Sequence, residues 1–132
     1  YFGLSKHLEE SVGRHSMLGT PYYTAPEVVD KKIEYQSSRE AYAADIWSLG
    51  CVIIEMFSGK HPWPGFEPVQ VIYKVGKKQH PPIPEKLCQE GNDFLKLCFR
   101  KTPADRPSAS ALLYHPFVKP LTTSLTGGIK SN

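Results

Sequence analysis

Asp45-Ile46-Trp47-Ser48-Leu49-Gly50-Cys51-Val52-Ile53-Ile54-Glu55-Met56-Phe57 is the stretch that sets the fold class of this chain. As a helix it is apolar on nearly every side, and a helix that is apolar all round is buried all round. Asp45 can cap its start with a short carboxylate, and Gly59 follows as a stop. The expected fold is therefore mainly α, built around one sheltered helix. Ser48, Gly50 and Glu55 interrupt the run and keep it short of a bilayer span, so no transmembrane helix is expected.

Downstream of that helix, His61-Pro62-Trp63-Pro64-Gly65 reads as a loop, and Pro68 suits a first helical position. Val69, Ile72 and Tyr73 would then share one face of a short amphipathic helix. Pro81-Pro82-Ile83-Pro84 must be extended, because each proline fixes its own φ and restricts its predecessor. A helix carrying Phe94, Leu95 and Cys98 on one side follows. Pro107-Ser108 opens the last helix, which offers Ala111, Leu112 and Tyr114 for packing and stops at His115-Pro116. Upstream, residues 1–42 mix Gly, Ser, Pro and charge without period and read as loop, with one helical turn near Pro26–Val29. The patternless tail, 120–132, is expected to be disordered.

Bulk composition names no function. The 132 residues are 40% hydrophobic and 22% charged, enough for one domain with a real core. A net charge of +3, with Lys31-Lys32 and Lys77-Lys78 the only basic doublets, gives no footprint for nucleic acid or membrane. Cys51, Cys88 and Cys98 are odd in number and form no C-x-x-C pair, so reduced, core-packed thiols in an intracellular, cytoplasmic setting are expected.

Three separated stretches, in order, resemble the protein-kinase signature set. Phe2-Gly3-Leu4-Ser5-Lys6 resembles the end of the D-F-G motif that opens an activation segment. Gly19-Thr20-Pro21-Tyr22-Tyr23-Thr24-Ala25-Pro26-Glu27-Val28-Val29 resembles the end of that segment, with its A-P-E motif. Asp45 to Cys51 is similar to the start of the family's central buried helix, and Arg106-Pro107-Ser108-Ala109 to a late Arg-Pro element. The resemblance covers Phe2 to Val118 and implies the helical C-lobe of a serine/threonine kinase: an activation segment plus about four to five helices, without the N-lobe. On this division residues 1–29 are activation segment, 30–44 a polar loop insertion and 45–119 the helical core of a partial kinase domain. Gly19-Thr20-Pro21-Tyr22-Tyr23, Phe66-Glu67-Pro68, Pro81-Pro82-Ile83-Pro84 and Asp93-Phe94-Leu95 together look most like the MAP kinase kinase kinase group, with calcium-dependent kinases the rival.

The resemblance also assigns roles. Glu27 would pair with Arg106 and tie the segment to the helical core, a duty that suits a bidentate guanidinium–carboxylate bond. Asp45 would cap its helix or accept backbone hydrogen bonds from a catalytic loop. Thr20, Pro21, Tyr22, Tyr23 and Thr24 fall where the family contacts the catalytic loop and substrate, and Ser11 and Ser16 are candidate phosphorylation sites.

Tyr1 stands where kinases hold the magnesium-binding aspartate, and a neutral phenol is a poor ligand for so hard a cation. It is either a true substitution or a boundary residue, and the start without methionine suggests that upstream sequence is missing. The Gly-rich loop, the lysine with its glutamate, and the catalytic aspartate and asparagine all precede this point in kinases. No catalytic, metal-binding or cofactor-binding residue is therefore expected in this chain, whereas ATP and Mg2+ are implied for the complete kinase. Its implied partners are a protein substrate, phosphorylated on Ser or Thr, and a downstream kinase. A degenerate module that binds substrates or partners is the alternative. The isolated chain is expected to be only marginally stable, with exposed apolar surface.

Overall fold

The computed structural model describes residues 21–30 and 38–119. Among them a 3-10 turn, Pro21–Tyr23, leads into α1 (Pro26–Asp30), and the central helix α2 runs from Ser38–Ser58. Then come α3 (Pro68–Gly76), α4 (Gln89–Cys98), a second 3-10 turn at Pro103–Asp105, and α5 (Ala109–Leu112). No strand occurs among the described residues, and the arrangement is that of a helical lobe.

Helix α2 is the hub. Trp47 and Cys51 have no exposed surface and Ile54 almost none; they pack with Leu95 and Phe99 from the α4 end, Val71 and Val75 from α3, and Ala25 from the segment before α1. A second, smaller cluster joins Ile46 of α2 to Phe94 and Cys98 of α4 and Leu112 of α5. Gly50 is what allows α4 to come so close: a Cβ built there would sit 2.8 Å from Phe99 Cε1 and 3.0 Å from Cys98 Cβ. Gly50→Ala is accordingly expected to destabilise by about 1–3 kcal/mol, the range for overpacking a dense core. A urea melt followed by circular dichroism checks it; an unchanged or raised midpoint would mean that the two helices have slack there.

The structure corrects the expected boundaries of α2. It begins at Ser38, so part of the expected 30–44 loop is helical. Ala41, Ala43 and Ala44 are strong helix formers and Glu40 favours the positive end of the helix dipole, which explains the extension. Asp45 therefore lies two turns inside the helix and is no N-cap. Nor is the helix buried on all sides: Tyr42, Met56 and Phe57 are exposed. By length and composition Arg39–Ser58 could also cross a bilayer, but half of it is buried inside the fold, as in the core helix of a globular domain.

Local chemistry accounts for the other ends. Gly59 takes a positive φ of 75° while its N–H donates to Glu55 O at 2.8 Å, which stops α2 where expected. Pro68 occupies the first turn of α3, and Gln70 Oε1 accepts the Glu67 N–H at 2.8 Å to cap it. The buried face of α3 is the reverse of the expected one. Val71 and Val75 are wholly enclosed, while Val69, Ile72 and Tyr73 face out. Likewise in the last helix only Leu112 is buried, and Ala111 and Tyr114 are exposed. Pro81 to Pro84 falls in no helix or strand, and Phe94, Leu95 and Cys98 form the buried side of α4. The tail from residue 120, expected to be disordered, lies outside the described residues, as do residues 31–37.

Candidate functional site

Arg106 organises the site. Its side chain is fully buried, and it reaches Glu27 across 79 positions of sequence with two parallel bonds, Nη1 to Oε2 at 2.6 Å and Nη2 to Oε1 at 2.8 Å. This is the fork-to-fork geometry that only a planar guanidinium offers a carboxylate. Buried charge is tolerated when its other hydrogens are also satisfied. Here Nε donates to Arg100 O at 2.8 Å and Nη1 to Ala43 O at 2.9 Å, while Nη2 lies 3.5 Å from Lys101 O. The guanidinium carbon also stands 5.1 Å from the centre of the Trp47 ring, a cation over a π face. One side chain thus fastens α1, α2 and the loop after α4 to one another.

The turn ahead of α1 is held from a second side. Ser48 Oγ, inside α2, donates to Tyr23 O at 2.8 Å and to Ala44 O at 3.2 Å. Tyr23 Oη donates to Glu55 Oε2 further along the same helix. Burial first, and then the Glu55 hydrogen bond and charge, push the Tyr23 phenol far above its ordinary value, so it stays a donor throughout the neutral range. Tyr22 stacks on His61, with ring centres 4.0 Å apart, and the backbone N–H of Trp63 donates to His61 Nδ1 at 3.1 Å. Pro21 and Thr24 are buried as well. The turn is therefore clamped at Glu27, at Tyr23 and at Tyr22 by three different parts of the fold.

The residues singled out from sequence divide as follows. Pro21, Tyr22, Tyr23, Thr24, Glu27 and Arg106 come together in this region. Asp45 is half-buried within α2, with interactions of its own. Tyr1, Ser11, Ser16 and Thr20 lie outside the described residues. Among the described residues no three His, Cys, Asp or Glu side chains converge as a cation site. Ser48, Glu55, His61 and Trp47 were not singled out as site residues. Glu55, a lone carboxylate in an apolar helix, was the one signal that could have flagged this set. Nothing in the sequence marks the carbonyls of Ala43 and Arg100 as acceptors.

The thiols are bystanders. Burial raises Cys51 well above its ordinary value and pushes Cys98 up to about 12, with the nearby Arg106 charge pulling the other way. Cys88 is not in the core as expected: it is exposed at the N-cap of α4, where Sγ accepts the Gly91 N–H at 3.4 Å. A disulfide reagent at about pH 8 should therefore label Cys88 at once, and Cys51 and Cys98 only after unfolding. Rapid labelling of more than one thiol would contradict the packing of α2 on α4. The folded state keeps the Cys98 proton beyond the free-thiol value of 9.0, so this contribution to stability is lost as pH climbs toward about 12.

Comparison with known proteins bears on what this arrangement is. The model of the family described as "Protein kinase domain" matches residues 2–118. The chain is 50% identical over 119 residues to mitogen-activated protein kinase kinase kinase 5 of Arabidopsis thaliana, covering 89% of this chain and 16% of that relative. It is 50% identical over 109 residues to human mitogen-activated protein kinase kinase kinase 4, covering 82% of this chain and 7% of that protein. Against the serine/threonine-protein kinase BCK1/SLK1/SSP31 of Saccharomyces cerevisiae identity is 44% over 123 residues, covering 88% and 8%. The chain spans less than a fifth of the length of each of these relatives.

Proposed function

The chain belongs to the protein kinase domain family, and on that premise we propose that its described residues hold and present the end of an activation segment in a serine/threonine kinase of the MAP kinase kinase kinase type. The observation that carries this reading is the buried pair of hydrogen bonds from Arg106 to Glu27, which ties α1 and the turn Pro21–Tyr23 ahead of it to the helical lobe. Phosphoryl transfer depends on positioning more than on covalent chemistry by the protein, so a fixed turn beside the substrate is itself a contribution to rate. Ser48 and Glu55 anchor Tyr23, and His61 supports Tyr22, so the substrate-facing turn keeps one shape. Thr24 follows that turn, and phosphorylation at Ser11 or Ser16 would add charge able to order the activation segment.

In the complete protein, magnesium-bound ATP would supply the phosphoryl group, and the acceptor would be a serine or threonine of a protein, a downstream kinase by analogy with the names of the relatives. The polypeptide 1–132 by itself is expected neither to bind magnesium-ATP nor to transfer phosphate, because its sequence contains no Gly-rich loop, no H-R-D loop and Tyr1 ahead of Phe2-Gly3. Calorimetry with nucleotide and a phosphotransfer assay on this polypeptide and on the complete protein test the two halves. Transfer by the complete protein alone is the expected result. A complete protein that binds ATP and phosphorylates no protein, or an active 1–132 polypeptide, would contradict it. A non-catalytic, partner-binding role is the second reading, favoured by the exposed apolar side of α3.

A further inference from the structure

Proline can follow a reacting side chain into an apolar pocket without stranding a backbone N–H there, so an enzyme can select its acceptor hydroxyls by the proline that comes next. A hydroxyl followed by proline occurs twice in this sequence, as Thr20-Pro21 and as Thr102-Pro103. The fold treats the two prolines differently. Pro21 is buried in the turn ahead of α1 and cannot enter a pocket of another protein while that turn is in place. Around the second, Arg100, Lys101, Thr102, Ala104 and Asp105 are exposed and Pro103 is half-buried.

Backbone shape favours the same position. Thr102 has φ −89° and ψ 125°, the extended conformation that a following proline imposes and that a segment lying in an enzyme cleft needs. Its side chain makes no capping bond to the 3-10 turn that follows. That turn is closed by the Asp105 N–H to Thr102 O at 3.0 Å and the Arg106 N–H to Pro103 O at 3.1 Å, with Arg100 Nη1 donating to Asp105 O at 3.1 Å. No residue from Arg100 to Asp105 belongs to either apolar cluster, so the turn can be drawn out straight with the core left in place. Arg100 and Lys101, just before the hydroxyl, are cations able to neutralise a phosphate added to it.

We propose that Thr102 is a phosphorylation site for a second, proline-directed serine/threonine kinase. Thr102 Oγ1 attacks the γ-phosphorus of magnesium-ATP held by that enzyme; the new Oγ1–P bond forms as the bond to the bridging oxygen breaks, and ADP leaves. The hydroxyl proton goes to a carboxylate of the modifying enzyme. The site is separate from Ser11 and Ser16, and the proposal is independent of whether the assembled protein itself transfers phosphate.

Incubation of the full 132-residue chain with magnesium-ATP and an active cyclin-dependent kinase, or separately an active mitogen-activated protein kinase, tests it, because both classes select proline after the acceptor. Mass spectrometry of the digested product should place phosphate on Thr102 with at least one of the two enzymes, and none should appear when neither is added. Thr102→Ala should abolish that label and Thr102→Ser should keep it. Pro103→Ala should slow it at least about ten-fold, with an unchanged circular dichroism spectrum, since the hydroxyl is still present and only the selecting residue is gone. Thr20 should take up phosphate far more slowly than Thr102 in the same sample, a contrast that the dipeptide alone does not give and the burial of Pro21 does. The proposal is overturned if Thr102 stays unmodified with both enzymes or if Pro103→Ala is modified as fast as the parent. It is equally overturned if Thr20 is labelled as quickly as Thr102, which would mean that the enzyme reads unfolded chain and not this surface.

Discussion

Arg106→Ala is expected to lower the unfolding free energy by about 3–5 kcal/mol, the range for removing one member of a buried ion pair. The loss comes less from the missing attraction than from what stays behind. Glu27 would keep a carboxylate that is only slightly exposed, and the carbonyl oxygens of Arg100 and Ala43 would lose their donor. Arg106→Lys should recover little of this, because one ammonium cannot make two parallel bonds to Glu27 and also reach both carbonyls. Equilibrium urea unfolding with a secondary-structure probe measures both variants. A loss below about 0.5 kcal/mol for Arg106→Ala would match an ordinary surface change and contradict the burial seen here.

Trp47→Ala is expected to cost about 3–5 kcal/mol by a different route, the cavity left when a large core side chain is cut back. Trp47 has no exposed surface, meets Phe99 edge-on with ring centres 5.1 Å apart, and carries the Arg106 guanidinium over its face. The cavity would open at the junction of α2, the end of α4 and the ion pair. Trp47→Phe supplies the contrast. The indole N–H has no hydrogen-bond partner among the described residues, so phenylalanine gives up no polar bond and should cost less than half as much. Equal losses for the two variants would mean that something other than volume is at stake. A loss under about 1 kcal/mol for Trp47→Ala would mean that the site collapses freely.

How much of this was legible in the sequence follows from the range of each interaction. The central helix showed itself through a mostly apolar stretch, which is a local property. The start of α2 did not, because residues 38–44 are polar enough to pass for loop and their helical preference counts only once α2 has a core to dock on. The facing of α3 was misjudged for a related reason: Val69, Ile72 and Tyr73 match helical spacing as well as Val71 and Val75 do. Periodicity finds an apolar stripe, but which of two stripes meets the core is a tertiary matter. Within the site, Glu27 and Arg106 were visible only through resemblance to kinases, because no local rule links positions so far apart. Glu55 and Ser48 escaped notice because each is an isolated polar residue whose partner, Tyr23, is also remote.

The bond on which the fold and the proposed role both rest can be measured alone by a double-mutant cycle with Glu27→Ala, Arg106→Ala and the pair of changes, read as unfolding free energies. A coupling of about 2–3 kcal/mol is predicted, so that the double variant loses about 2–3 kcal/mol less than the two single losses added together. A coupling within about 0.5 kcal/mol of zero, with the two losses simply adding, would show that the carboxylate of α1 and the guanidinium before Pro107 do not act on each other.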